Sequence, residues 1–217
     1  MGKITAFYTS SVGRKLLMAL TGLFLCSFLV VHLYINLFVF KQDSGQTYDV
    51  YSEFMATYPL LRPFEWILFA GFLIHAFIGV WLWIDNRIAR PQRYEVNRAS
   101  DSSTLSSRIA FWTGGFVFVF LVVHINTFFV QSRFFNTGKT MYELVEAAFK
   151  NPLYDGFYVV AIGFLAYHLK HGFQSAFQTF GLRNKKYERL IDIVAIIFWL
   201  LIPIGFAAMP LYFFWTH

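Results

Sequence analysis

Residues 16–40 read LLMALTGLFLCSFLVVHLYINLFVF, an apolar run that contains one histidine, His32, and no charged residue. About 20 apolar residues are enough for an α-helix to cross roughly 30 Å of hydrocarbon. The run is longer than the apolar part of a signal peptide, and basic residues precede it. We therefore interpret it as an uncleaved membrane-spanning helix.

The chain contains four more runs of this kind, and together the predicted spans are residues 16–40, 64–84, 109–131, 154–177 and 190–214. The composition supports this interpretation, because 57% of the 217 residues are hydrophobic and only 14% are charged. A soluble domain of this size is much less apolar. The sequence predicts an all-α membrane protein, a single domain over residues 1–217 with five transmembrane helices, the first four forming a bundle.

Lysine and arginine are concentrated in the connections on one side of the predicted helices, and such residues mark the cytoplasmic side of a membrane. That side holds Lys3, Arg14, Lys15, Arg87, Arg90, Arg93, Arg98, Arg108, Arg183, Lys185, Lys186 and Arg189. The other side holds Lys41, Arg62, Arg133, Lys139 and Lys150. We expect a multi-pass protein of the bacterial cytoplasmic membrane with its N-terminus inside and its C-terminus outside. The net charge of +6 reflects this topology and gives no reason to infer nucleic-acid binding.

Two connections predicted to lie outside are expected to be partly helical. Thr140 followed three residues later by Glu143 is a capping box, and apolar residues at helical spacing follow it up to Phe149. Aromatic residues near 51–58 predict one or two helical turns in the first outer connection.

Each of the first four predicted helices carries a histidine within its apolar run, His32, His75, His124 and His168, and a fifth histidine, His171, follows the last of these by three residues. An imidazole in hydrocarbon needs a partner, so four of them indicate bound metal or haem. Any one alone is equally compatible with a hydrogen bond between helices. Because Cys26 is the only cysteine, covalent attachment of a c-type haem is excluded.

The predicted topology sorts these histidines by depth. His32 and His124 lie about 23 Å of helix rise from the inner ends of their helices, and His75 and His168 lie about 14 Å from the cytoplasmic boundary. Two depths predict two stacked bis-histidine haems b in a four-helix bundle, an outer one held by His32 and His124 and an inner one by His75 and His168. His171 is the alternative fourth ligand, but depth favours His168.

An internal repeat supports this pairing. The sequence FLVVH ends at both His32 and His124, and Gly22 and Gly114 each stand ten residues before those histidines. The repeat implies that the first and third predicted helices occupy equivalent positions in the bundle.

Each of the small and polar residues near the histidines has two possible roles. Gly71 and Gly79 lie four residues on either side of His75, where they could leave room for a porphyrin edge or let helices approach closely. Asn36, four residues after His32, could orient a ligand or quinone, or bond a neighbouring helix.

Ionisable residues near the span boundaries also have two readings. Glu65 could accept a proton at a quinol site, or its carboxylate could simply favour the N-terminus of its helix. Lys170 could extend to the inner surface or pair with a propionate of the inner haem. Arg14 and Lys15 could set topology or bind propionates.

The sequence resembles the di-haem cytochrome b anchor subunit of succinate:quinone oxidoreductases, the family that includes quinol:fumarate reductases. The resemblance rests on SSVGRK at 10–15 leading into His32, on one histidine in each of the first four helices, and on HLKHGF at 168–173. It implies that the first histidine of the last motif, His168, is the axial ligand. Some members have a glutamate two residues before that histidine, where this chain has Ala166.

The resemblance further implies cytoplasmic partners, a flavoprotein subunit with FAD and an iron–sulfur subunit, and electron transfer with menaquinone or menaquinol. We expect menaquinol oxidation near Glu65 and fumarate reduction as the favoured direction, with no turnover by this chain alone. The alternative is a haem-free transporter or proton channel, which more usually has interrupted helices and paired acids at the midplane. A membrane di-metal hydroxylase would instead cluster its histidines on one side.

Overall fold

The structure is a computed structural model that describes residues 10–88, 105–135 and 138–216. Within these residues the chain forms seven helices and no strands. They are α1 (Ser11–Asn36, continued by a 3-10 turn at Leu37–Phe40), α2 (Gln46–Thr57), α3 (Arg62–Ile88), α4 (Leu105–His124, continued by a π-helical segment at Ile125–Val130 and by Gln131–Phe134), α5 (Met141–Phe149), α6 (Pro152–Thr179) and α7 (Glu188–Ile196, continued by a π-helical segment at Ile197–Leu201 and by Ile202–Thr216).

Four of these helices are long and apolar enough to cross a membrane. The candidate spans are Ser11–Phe40, Arg62–Ile88, Arg108–Phe134 and Glu188–Thr216, with mean hydropathy between 1.9 and 2.5. Large apolar side chains on their outer faces are exposed, which suits contact with lipid and not with water. The prediction of a multi-pass, all-α membrane protein is confirmed at this level.

The predicted span at 154–177 is a long helix, α6, but it is not among the four apolar spans. It carries Asp155, Lys170 and Gln174, and it packs against α1, α4, α5 and α7. Because neighbouring helices cover much of its surface, α6 depends less on apolar side chains than a lipid-facing helix does. A fifth span and the orientation of the termini therefore stay predictions. The basic residues Lys3, Arg90, Arg93 and Arg98, used to predict that orientation, lie outside the described residues.

The four helices predicted to form a bundle are arranged as a ring in the order α1, α3, α4, α6. Extensive packing joins α1 to α3, α4 to α6 and α6 to α1, and α3 makes lighter contact with α4. In the described residues, extensive packing is absent across both diagonals, α1 with α4 and α3 with α6. Helix α7 lies outside the ring, against α6 and α1. Across the centre of the ring the helices therefore meet through side chains.

The short helices α2 and α5 lie together at one end of the bundle, which we call the α2/α5 end. The backbone N–H of Tyr142 in α5 donates to Oδ1 of Asp49 in α2 at 2.8 Å. The capping box of Thr140 and Glu143 is present and α5 begins at Met141, as the sequence predicted. Helix α2 is longer than the predicted one or two turns, with 12 residues from Gln46.

Candidate functional site

The imidazoles of His32 and His124 meet near the α2/α5 end of the bundle. Their ring centroids are 5.8 Å apart and their planes are nearly perpendicular, at 86°. His32 comes from α1 and His124 from α4, so the two side chains reach across one diagonal of the ring. This is the first of the two pairs that the sequence predicted.

The imidazoles of His75 and His168 meet across the other diagonal. Their centroids are 6.2 Å apart and their planes make an angle of 82°. On α1, Gly22 contacts this second pair, and His32 of the first pair lies ten residues later. Ten residues of α-helix rise by about 15 Å, which is the separation of the two pairs along α1. The two pairs are therefore stacked along the bundle, as the sequence predicted.

The spacing within each pair suits two imidazoles on opposite sides of one metal ion. With metal–nitrogen bonds of about 2 Å, two such rings have centroids about 6 Å apart. The described residues contain no cluster of three or more His, Cys, Asp or Glu side chains that could hold a metal ion. Each pair offers two histidine nitrogens, which is the number of ligands that a b-type haem would take from the protein. The residues of each pair therefore fit a haem.

Each histidine of the second pair rests on a glycine of the preceding helix in the ring. A Cβ on Gly22 would stand 3.3 Å from Cε1 of His75, and a Cβ on Gly114 would stand 3.0 Å from Cε1 of His168. These two glycines are the repeat positions noted in the sequence. Their missing side chains therefore provide room for the two rings.

The residue before each of these glycines is a threonine. Thr21 Oγ1 lies 3.2 Å from Nδ1 of His75. The equivalent Thr113 is buried and donates its hydroxyl to the carbonyl of Ala110 at 3.0 Å. Nδ1 of His168 is buried and has no side-chain hydrogen-bond partner in the described part of the chain.

The first pair has polar neighbours of its own. Tyr158 Oη lies 3.0 Å from Nδ1 of His124, and the Tyr154 hydroxyl donates to Tyr158 Oη at 3.1 Å. Tyr158 is not among the residues that the sequence predicted for this site. Its phenol comes from α6, and no pattern within α4 predicts that contact.

Asn36 contacts both His32 and a neighbouring helix. Its Nδ2 donates to the carbonyl of His32 at 2.8 Å and lies 3.4 Å from Nδ1 of the same residue. Its Oδ1 accepts from the hydroxyl of Tyr48 in α2 at 3.1 Å. Burial raises the pKa of Tyr48, so this phenol remains a donor at neutral pH. Asn36 thus links His32 to α2.

His171 is half-buried on α6 and is not the ring that faces His75. The contact belongs to His168, and the choice of His168 over His171 as a ligand stays a prediction.

Glu65 lies in the first turn of α3 and is held by two arginines. Its Oε2 is 3.0 Å from Nη2 of Arg133 and 3.3 Å from Nη1 of Arg62. The ion pair with Arg133 joins α3 to the end of α4. Glu65 is therefore close to the α2/α5 end, where the His32 and His124 pair also lies.

The basic candidates have different surroundings. Arg14 Nη2 is 2.7 Å from Oδ2 of Asp85, its guanidinium lies 4.7 Å from the centre of the Trp81 ring, and its Nε is buried without a partner in the described residues. Lys15 is exposed. Lys170 lies 4.6 Å from the centre of the Trp199 ring, so its ammonium is directed to α7 and is not brought to the histidine pair.

Gly71 and Gly79 both face α1. A Cβ on Gly71 would stand 3.1 Å from the ring of Phe24, and one on Gly79 would stand 3.2 Å from Cε of Met18. These contacts match the helix-packing reading of the two glycines. The glycines that contact histidine rings are instead Gly22 and Gly114.

The repeat contained a signal that would have identified the missed threonines. Thr21 and Gly22 recur as Thr113 and Gly114, in register with the repeated FLVVH. A comparison of the two copies over their full length, and not only around the histidines, would have included both.

Comparisons with protein-family models, with curated proteins and with solved structures give no match to this chain. The functional argument therefore rests on the geometry of the two histidine pairs.

Proposed function

We propose that this chain is a di-haem cytochrome b that carries electrons across a membrane as the anchor subunit of a succinate:quinone oxidoreductase. One observation carries the proposal: two histidine pairs span the two diagonals of a helical bundle, with centroid separations of 5.8 and 6.2 Å. Hydrogen bonds between membrane histidines would not by themselves require two pairs whose spacing matches that of the two axial ligands of a haem.

In this proposal His32 and His124 hold one haem b, and His75 and His168 hold the other. A haem held by each pair of histidines would supply one-electron transfer. The chain's own residues bind each group and fix the rings, through Thr21 at His75, Tyr158 at His124 and Asn36 at His32.

Arg14 is the favoured partner for a propionate of the second haem. It lies eight residues before Gly22 on α1, about 12 Å of rise from the contact with His75. Its Nε is a buried donor with no partner in the described residues. Lys170 and Lys15 lack comparable support, because Lys170 contacts Trp199 and Lys15 is exposed.

Menaquinol is the proposed electron donor at the α2/α5 end, which would face the outside of the bacterial cytoplasmic membrane. Glu65 would accept a proton that menaquinol releases on oxidation, and Arg133 and Arg62 position its carboxylate. The partners at the opposite end are a flavoprotein with FAD and an iron–sulfur subunit, and the chain alone would have no turnover with succinate or fumarate.

A haem assay on the purified full-length chain tests the central claim. A pyridine haemochromogen measurement should give two b haems per chain, and a chain without haem would refute the proposal. His75→Ala and His124→Ala should each remove a different haem, while His171→Ala should keep both. Loss of the same haem from His75→Ala and His124→Ala would refute the pairing.

The quinol site has a separate test in the assembled complex. Glu65→Gln should abolish menaquinol oxidation while both haems are retained. Glu53→Gln, which changes an exposed carboxylate of α2, is the matched control and should leave the rate unchanged. Equal rates in Glu65→Gln and Glu53→Gln would refute this role for Glu65.

A further inference from the structure

The hydroxyl of Thr21 has its one proton engaged with the backbone. Thr21 Oγ1 donates to the carbonyl of Leu17 at 2.8 Å and also lies 3.1 Å from the carbonyl of Met18. A threonine hydroxyl has a single proton and two lone pairs. At His75 Nδ1, 3.2 Å away, Thr21 is therefore available only as an acceptor.

This arrangement decides where the proton of a neutral His75 ring lies. A neutral imidazole has one protonated nitrogen and one with a free lone pair. Because Thr21 accepts, the proton is on Nδ1 and the free lone pair is on Nε2. Histidines that bind metals usually donate their other N–H in this way, which fixes the tautomer and raises the basicity of the ligand.

We propose that Thr21 is a positioning residue that holds His75 in the Nε2-binding tautomer and makes the two ligands of the second pair unequal. The inference rests on the proposed function, since it assigns a role toward the haem between His75 and His168. The ring of His75 is also limited sterically, because Gly22 lies directly against Cε1.

The other half of the repeat shows the inequality. Thr113 occupies the position equivalent to Thr21, and its hydroxyl is likewise donated to a backbone carbonyl, that of Ala110. Yet in the described residues no side-chain group hydrogen-bonds to Nδ1 of His168. One histidine of the pair therefore has a side-chain hydroxyl as the partner of its Nδ1, and the other does not.

The experiment compares Thr21→Val, Thr21→Ser and Thr113→Val in the full-length haem-loaded protein. Valine has the shape of threonine without the hydroxyl, serine keeps the hydroxyl, and Thr113→Val removes the equivalent hydroxyl that does not touch its histidine. The readouts are haem content per chain, the midpoint potential of each haem by redox titration at fixed pH, and the electron paramagnetic resonance signals of the oxidised haems.

A less basic axial ligand stabilises the oxidised iron less, and this raises the midpoint potential of the haem. We therefore expect Thr21→Val to raise the midpoint potential of one haem only, the haem that His75→Ala removes, and to shift its resonance signal. Thr21→Ser should restore both values, and Thr113→Val should match the wild-type protein.

If the wild-type protein binds two haems, the proposed function stands, and three results would still overturn the inference about Thr21. They are unchanged signals in Thr21→Val, equal shifts in Thr21→Val and Thr113→Val, and loss of both haems in Thr21→Val or of either haem in Thr21→Ser. A wild-type chain without haem would instead refute the proposed function.

Discussion

Replacement of Gly114 by alanine is the sharpest test of how the second histidine pair is held. The added methyl group would stand 3.0 Å from Cε1 and 3.3 Å from Nδ1 of His168. Carbon atoms in good contact are about 3.5–4.0 Å apart, so the ring must move by about 0.5 Å. Metal sites tolerate deviations of about 0.2 Å in ligand distance, so this movement takes His168 out of register with His75.

The fold should survive the change. Overpacking of this kind costs about 1–3 kcal/mol. Alanine recovers about 1 kcal/mol over glycine in the interior of a helix. The net loss of stability is therefore at most about 2 kcal/mol, and the consequence should appear in haem binding before it appears in folding.

The assay is haem content and absorption spectrum of the purified Gly114→Ala chain. Loss of a contact that orients a metal ligand typically weakens metal binding by 10–100-fold. We expect the content to fall from two haems per chain toward one, with the His32 and His124 site retained. Gly115→Ala is the matched control, because a Cβ at Gly115 meets nothing within 4 Å.

Full haem content with an unchanged spectrum in Gly114→Ala would refute the reasoning. An equal loss in Gly115→Ala would do so as well, since the effect would then belong to the helix and not to the contact with His168.

Three further predictions concern single contacts. Tyr158→Phe removes the 3.0 Å contact with His124 and should shift the midpoint potential of the first haem alone, whereas Tyr154→Phe should change it much less; equal shifts in both haems would argue against this. His171→Ala should keep the wild-type spectrum, and a missing haem would make His171 a ligand. Thr140→Ala removes the cap of α5 and should lower the free energy of unfolding by about 1 kcal/mol, seen as a lower melting temperature. An unchanged melting temperature would contradict the role of the cap.

Much of the fold followed from patterns within single segments. Apolar runs of sufficient length became helices, and the capping box of Thr140 and Glu143 became the start of α5. The boundaries were less accurate, because caps and not hydropathy end a helix. Helix α1 begins at Ser11, where Ser10 Oγ accepts from the N–H of Gly13 at 3.0 Å, and not at the first leucine of the apolar run.

The pairing of the histidines could also be predicted, because depth along a helix depends only on residue number and direction. The neighbours of each ring could not. Which side chain of one helix touches a ring on another depends on the rotation and tilt of both, and neither is encoded in the period of a single helix. Tyr158 and Thr21 were missed for that reason.

The glycines illustrate the same limit. Gly71 and Gly79 share a helix face with His75, and proximity along one helix suggested that they make room beside it. In the folded chain that face also packs against α1, so the two glycines meet Phe24 and Met18. The room beside His75 comes instead from Gly22, 53 positions earlier in the numbering.

The diagonal pairing has a consequence for how such a molecule could arise. Each pair takes one histidine from the α1 and α3 half and one from the α4 and α6 half, so an approximate two-fold axis along the bundle would relate each histidine to its partner. Two copies of a single ancestral helical hairpin would form both histidine pairs on dimerising, because a two-fold interface places equivalent residues opposite each other. The repeated FLVVH is what duplication and fusion of such a hairpin would leave. In such a history the side-chain hydrogen bond at His75, which His168 lacks, would have arisen after the two copies separated.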